Sequence, residues 1–228
     1  MNIRRAVAGV IGLGLLFTGG AAAAAGPLSA GQVILRAGAT GVLPDEDTHQ
    51  VGGALAPALA GTHVAVDNDV KPGITLAYML TDHIDVELLG AWPFKHEATL
   101  RGGALAGTRL GSIKHLPPTL SVDYHFDTGT PVTPYVGVGV NYTMFFDEQV
   151  DDAAAAAGVT GLDLSNSFGP AAQVGVDYML GDHWLVNANV RYLQIDTNAR
   201  VATAGGGRTD VDLDIDPWVY TAAIGYRF

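Results

Sequence analysis

Past residue 25 the chain carries eight segments of about ten residues in which apolar and polar side chains alternate, at 32–42, 70–80, 83–94, 114–126, 134–146, 169–180, 183–196 and 214–228. Successive side chains of a strand point to opposite faces, so each segment offers one apolar face. No apolar run past the amino terminus reaches the roughly 18 residues of a spanning helix. The apolar surface of a chain that is 48% hydrophobic, 15% charged and of mean hydropathy +0.24 must then be carried by strands. In a bilayer strands satisfy their backbone groups only by closing on themselves, and an even number closes antiparallel. The sequence therefore predicts an all-β fold, an eight-stranded antiparallel transmembrane β-barrel.

The connections agree with this. Short ones at 81–82, 127–133 and 181–182 alternate with long ones at 43–69, 95–113, 147–168 and 197–213, as periplasmic turns alternate with outer loops. Tyr78-Met-Leu-Thr-Asp-His recurs as Tyr178-Met-Leu-Gly-Asp-His, each ending a strand and turning into the next. Taking alternate residues sorts the aromatics into two outward belts. Tyr78, Tyr124, Phe126, Tyr178, Trp184, Tyr226 and Phe228 lie at the short-turn end, and Trp92, Phe94, Tyr142, Phe146, Tyr192, Trp218 and Tyr220 at the long-loop end. Between them fall residues such as Val86, Leu88, Val136, Val138, Val174, Val176 and Ile224, the composition of a lipid-facing band. A soluble β-sandwich would have one buried face but no reason for two belts. Pro72, Pro117, Pro118 and Pro217 remove ladder donors, so local irregularity is expected there, with a break that could open the wall sideways.

Residues 1–25 begin with two arginines, continue as an apolar stretch and end in small alanines, the pattern of a cleaved export signal, which leaves 26–228 as the barrel domain. Cleavage would remove two arginines and no acid, taking the formal charge from −11 to −13. Such a charge repels phosphate backbones and argues against nucleic-acid binding. With no cysteine, thiol catalysis, disulfides and zinc-thiolate sites are excluded.

An eight-stranded barrel has an interior wide enough for side chains or one small ligand. By alternation the inward residues near the short turns are Arg36, Asp85, Glu87, Asp123, Asp177, Asn187, Asn189, Arg191 and Arg227, three cations facing four carboxylates, a set that can satisfy itself as a polar plug. Further out the inward set turns apolar, with Leu89, Ala91, Phe145, Leu193, Ile195 and Val219; Ala77 and Met79 on the second strand break this gradient. The expectation is an apolar outer half above a charged inner half, with Leu89 at the change between them. An apolar guest could enter from outside, be stopped below and leave sideways into lipid. Side chains that merely fill a structural barrel would show the same pattern.

Catalysis needs a nucleophile with a base in reach. Ser121 and His125 share the inward face but lie roughly 13 Å apart along a strand. His96 and His115 could approach across neighbouring strands without a serine signature, so the histidines are read as polar rim residues, and neither a metal site nor a cofactor is expected. Asp45-Glu46-Asp47, Asp147-Glu148, Asp151-Asp152 and Asp212-x-Asp214-x-Asp216 fall in or beside outer loops and read as a solvated rim. Cation bridging to lipopolysaccharide phosphates is the functional alternative, but their spacing matches no calcium loop. Ala153 to Ala157 could form a helical turn.

The chain resembles the outer membrane protein W (OmpW) family. The likeness is carried by Val86-Glu-Leu-Leu, Trp92-Pro-Phe-Lys-His, Lys114-His-Leu-Pro-Pro-Thr-Leu, Pro134-Tyr-Val-Gly-Val-Gly-Val-Asn-Tyr-Thr-Met-Phe-Phe-Asp, Ala172-Gln-Val-Gly-Val-Asp-Tyr, Asp216-Pro-Trp-Val and the terminal Gly225-Tyr-Arg-Phe, spread over the whole mature chain. The resemblance implies an outer-membrane barrel of a Gram-negative bacterium with a narrow, largely apolar interior that passes small hydrophobic molecules, and no enzyme. The alternatives are a structural or surface-interaction barrel and, behind it, a lipid-modifying enzyme. Likeness to barrels recognised by their last strand places an assembly signal at Tyr226 and Phe228. The partners implied are outer-membrane lipids and lipopolysaccharide, small hydrophobic solutes and the outer-membrane assembly machinery.

Overall fold

The computed structural model describes residues 26–45, 47–51 (backbone only), 61, 63–103 and 106–228. The export signal expected over 1–25, together with Glu46, lies outside them. In chain order the described elements are β1 Val33–Leu43, β2 Asp47–Val51, β3 His63–Val66, β4 Asp69–Met79, β5 Ile84–Ala91, β6 Phe94–Arg101, β7 Arg109–Leu116, β8 Thr119–His125, β9 Val132–Val150, α1 Asp152–Ala156, β10 Val159–Leu164, β11 Ser167–Met179, β12 Trp184–Leu193, β13 Asp196–Thr203, β14 Arg208–Asp214 and β15 Trp218–Arg227.

Eight of these strands form a closed antiparallel ring, β1-β4-β5-β8-β9-β11-β12-β15, with β15 returning to β1. The ring leaves no open edge, and its outward face is apolar. Leu76, Leu88, Val122, Val138, Val174 and Ile224 are exposed, as a lipid-facing band must be. Trp184, Tyr226 and Phe228 pack edge to face at the short-turn end, with ring centroids 5.1 Å and 4.8 Å apart along the row. Phe228 N–H also donates to Val33 C=O at 2.9 Å, tying the terminus to the first strand.

Among the described residues the outer connections are built largely of strands. Beyond the ring, β9-β7-β6-β3 continue one wall, and β10-β13-β14-β2 form a second, separate sheet facing it. Residues 153–157 do make a helical turn: α1 is capped by Asp151, whose carboxylate accepts Ala153 N–H at 3.0 Å.

Four of the predicted segments are each two elements with a break between. The 114–126 segment breaks at Pro117-Pro118, and 214–228 breaks at 215–217, where Asp216 takes φ +23° before Pro217. The 183–196 segment breaks after Leu193. Pro72 stays inside β4, in register with Ala39 of β1, but the β4–β5 ladder stops at its neighbour Gly73. The 83–94 segment breaks at Trp92-Pro93, and this overturns one assignment. Pro93 is one extra position between the outward Trp92 and the next strand, and this reverses the alternation, so Phe94 is only 1% exposed and faces inward, while Trp92 stays outward in the belt.

Candidate functional site

Three layers fill the lumen. The lowest is apolar: Ile34, Ala77, Met79, Met179 and Leu185, with Leu28 packed against them from the periplasmic mouth. The middle is polar. The upper layer is again apolar, with Val42, Phe94, Ala171, Leu193, Ile195 and Val219, and with Ala91, Phe145 and Ile215 packed against them. The charged inner half expected from the sequence is thus a layer between two apolar ones; Met79 belongs to the lower of these. All six apolar positions expected to line the lumen lie inside the wall, Leu89 at 2% exposure and Ala91 and Phe145 half-buried.

The middle layer is a connected network. Arg36 donates through Nε and Nη2 to both oxygens of Asp177, at 3.1 Å and 2.5 Å, and through Nη1 to Glu87 at 2.8 Å. Arg191 donates to the other Glu87 oxygen at 2.7 Å and to Gln173. The Gln173 amide nitrogen reaches Asp123 at 2.6 Å and Ser121 at 2.9 Å. Asn187 and Asn189 both donate to the Tyr135 hydroxyl, at 3.0 Å and 3.1 Å, and Asn187 also to Asp177 at 2.8 Å. His125 Nε2 bonds Asp85 at 2.9 Å. Charge-assisted bonds of this kind repay desolvation only where most partners are satisfied, and here each arginine holds at least one carboxylate.

Arg227 does not join the network. It lies at the periplasmic mouth and donates to the backbone carbonyls of Asp182 at 2.8 Å and 3.1 Å and of Gly26 at 2.8 Å, because its strand position puts it level with the turns. Gln173, Tyr135, Ser121 and His125 are members that sequence reading left out of the plug. The alternation that placed Asp177 and Asp123 inward also places Gln173, Ser121 and His125 inward. Tyr135 precedes the outward Val136 and Val138 and was marked by the same parity.

Glycine makes room for these side chains. A Cβ on Gly175 would lie 2.2 Å from the Tyr135 ring, and one on Gly137 would lie 1.6 Å from an Asp123 oxygen.

Above the upper layer the two extracellular sheets enclose a cavity of about 80 Å³. One wall is Val64, Val66, Ala98 and Ile113, with His96 and His115; the other is Leu162, Leu164, Val201, Val211 and Leu213, over a floor that includes Val42, Phe145, Ile195 and Pro217. His96 and His115 are buried, not rim residues, and stack with ring centroids 4.8 Å apart; Phe94 stacks on His115 at 5.5 Å. These rings sit beyond the aromatic belt, level with the solvent-reaching Lys95 and Lys114 on the outer faces of the same strands. Burial pushes the imidazole of His96 below its ordinary value, and burial together with the neighbouring His96 pushes His115 down to about 3. Both rings are therefore neutral, so neither histidine brings a charge to the cavity, whose lining also includes Asp214. His125 is also buried, in the polar layer.

The acidic residues of the outer sheets hold backbone and neighbours. Asp147 pairs with Lys114 at 2.6 Å, Asp212 accepts from Asn198 at 2.7 Å, and Asp216 accepts Ile195 N–H at 3.1 Å and the Tyr192 hydroxyl at 2.7 Å. Among the described residues no cluster of three or more His, Asp or Glu side chains could hold a metal ion.

Comparison with known proteins gives this architecture its relatives. The family model described as the OmpW family matches residues 29–228. Outer membrane protein W of Vibrio cholerae is 42% identical over 200 residues, covering 87% of this chain and 89% of its own. The crystal structure of the outer membrane protein OprG from Pseudomonas aeruginosa superposes with a TM-score of 0.82 at 40% identity, over 89% of this chain and 98% of that one. The dibenzothiophene metabolism operon protein PahQ, also of Pseudomonas aeruginosa, is 29% identical over 168 residues, 74% of this chain and 75% of its own. With the closed ring, the two belts and this coverage together, the chain belongs to the OmpW family and is an outer-membrane β-barrel of a Gram-negative bacterium.

Proposed function

We propose that the protein takes small apolar molecules from the outer surface into the cavity between its extracellular sheets and passes them into the outer membrane. The observation that carries this is the cavity itself, walled by aliphatic side chains and two neutral histidines, resting on an apolar floor. Apolar guests gain from such a surface about in proportion to the area they bury. Below, the Arg36–Asp177–Glu87–Arg191 network blocks a straight path, since an apolar guest there would have to break charge-assisted bonds without replacing them. Leu89, Ala91, Phe145, Leu193, Ile195 and Val219 then line the guest's descent, and Arg36, Asp85, Glu87, Asp123, Asp177 and Arg191 stop it. A relative named for a dibenzothiophene metabolism operon agrees with an apolar cargo.

Catalysis has no part in this reading: His125 is tied to Asp85, and Ser121 to Gln173 and Asp123, so serine and imidazole serve separate partners. Lipids and lipopolysaccharide surround it, and Tyr226 and Phe228 present its last strand to the assembly machinery.

The test is transfer across vesicles whose outer leaflet is lipopolysaccharide, with N-phenylnaphthylamine as an apolar probe and a disaccharide as control. The protein should speed the probe and leave the sugar excluded. A filled lumen also suits a structural or surface-interaction barrel, and equal probe rates with and without protein would establish that reading instead.

A further inference from the structure

His96 stands on β6 opposite Ile113 of β7, and both side chains line the cavity. Its Nδ1 lies 2.5 Å from the backbone carbonyl of Asp67. A carbonyl can accept a hydrogen bond but never donate one, so the ring proton is on Nδ1. The Asp67 carboxylate does not compete for the ring, because its Oδ1 accepts Glu97 N–H at 2.6 Å. Burial keeps the imidazole neutral, and Nε2 is therefore a bare lone pair.

That lone pair has no partner. Nε2 is buried on a side chain only 4% exposed and accepts no hydrogen bond. The two nitrogens of an imidazole point apart across the carbon between them, so with Nδ1 held to the wall at Asp67, Nε2 looks away from that wall and towards the space the ring lines. The ring is also fixed face to face. His115 stacks on it at 4.8 Å with 15° between the planes, and Phe94 at 6.5 Å with 23°. Rings this nearly parallel cannot aim two lone pairs at one point, so the pair of histidines does not make a metal chelate. What the arrangement offers is one preorganised acceptor.

The surroundings narrow what can meet it. Val64, Val66 and Ala98 on one side and Leu162 and Leu164 on the other are aliphatic; among the described residues His115 and Asp214 are the other polar side chains of the lining. A sugar would leave most of its hydroxyls unpaired there. An ether or ketone brings a lone pair to a lone pair, and a hydrocarbon leaves Nε2 as it is. A hydroxyl on an apolar body satisfies both the acceptor and the aliphatic walls, and a site built to bond a hydroxyl discriminates against the analogue that lacks it.

We infer that His96 Nε2 is the recognition group of the cavity, accepting a hydrogen bond from a guest that carries a single hydroxyl on an apolar body, of which a phenol is the simplest. This rests on the cavity being the apolar-solute site and names the class of solute it selects.

The experiment titrates phenol and toluene, alike in shape but with a hydroxyl in one where the other has a methyl, into the full chain, His96→Phe and His96→Gln in lipid nanodiscs. Binding is read from the amide shifts of Ile113 and Leu164. Comparing the phenol-to-toluene affinity ratio between proteins cancels what each probe loses to the lipid. Phenylalanine keeps a stacking ring and removes the acceptor, so the ratio should fall about tenfold, the scale of one lost hydrogen bond. Glutamine sets an amide oxygen near the place of Nε2 and should hold the ratio within about threefold of wild type. In wild-type protein with isotope-labelled histidine, phenol should move the unprotonated nitrogen resonance of His96 upfield, towards the protonated range, and toluene should leave it in place. That measurement needs no substitution and decides the matter if a variant fails to fold. A ratio unchanged in His96→Phe, a glutamine variant that behaves as the phenylalanine one, or a His96 resonance indifferent to phenol would overturn the assignment and leave the cavity reading standing. If neither probe binds the wild-type chain, both fall.

Discussion

Leu88 and Leu89 are adjacent leucines in different solvents. Leu88 is 48% exposed to lipid, and Leu89 is 2% exposed inside the wall, two positions from Glu87. A carboxylate at 88 must enter hydrocarbon, so Leu88→Asp should lower the amount of folded barrel recovered from outer membranes, read by heat-dependent gel mobility. Leu89→Asp should assemble, because the charge faces the lumen, but should slow apolar transfer. The reverse pattern would mean that the strand register is wrong by one. Gly175 makes a second test. Its missing side chain is the space that the Tyr135 ring occupies, so Gly175→Ala should cost about 1–3 kcal/mol in urea unfolding of the refolded protein. Tyr135→Leu should recover part of that loss. At this scale the sequence was legible wherever parity was uninterrupted: Arg36, Asp85, Glu87, Asp123, Asp177 and Arg191 are all inside, as alternation requires. Gln173 and Tyr135 were equally marked. Their roles were not, because a hydrogen bond between strands far apart in the chain depends on where the barrel closes.

Elements show where alternation stops being a guide. Trp92 and Phe94 share a parity, yet the break at Pro93 adds one position and the next strand resumes on the other face. A proline names the place of a break but not how many residues it consumes, so the inward turn of Phe94 could not be read in advance. The same uncertainty hid the outer hairpins, whose sequences are short, polar on one side and interrupted by glycine, and read as loops. Those hairpins carry a pH signature. The His115 ring is held near 3 in the fold against 6.5 when free, so between these values the unfolded hairpin binds more protons than the folded one. Stability from the neutral ring is complete above about pH 6.5 and declines as the pH falls towards 3. Amide exchange over β6 and β7 should therefore accelerate from pH 7 to pH 4.5, after correction for intrinsic rates, and His115→Phe should remove most of that dependence. A wild-type hairpin equally protected at both values would contradict the burial of a neutral imidazole.

For the whole molecule, the ring and its two belts follow from composition, spacing and alternation, while the stacking of layers does not. Height along a barrel axis is set by strand tilt and register, so Met79 could be placed low without its apolar layer being read, and Arg227 could be called inward but not placed below the plug. The terminal residue joins both kinds of evidence: Phe228 closes the last strand on Val33 and packs edge to face on Tyr226. Its deletion should reduce outer-membrane levels more than it reduces the stability of protein refolded in detergent, which separates a recognition role from a packing one. Equal losses in both would assign it to packing alone.

The claim on which the rest depends is that apolar guests occupy the space between the extracellular sheets and not the barrel axis below. Crystals soaked in 1-bromobutane and measured at the bromine edge test it directly. An anomalous peak should stand among Ile113, His115, Phe145, Leu164 and Val211, with none in the layer of Arg36, Glu87 and Arg191. Bromine found on the lipid-facing surface alone, or within that polar layer, would contradict it.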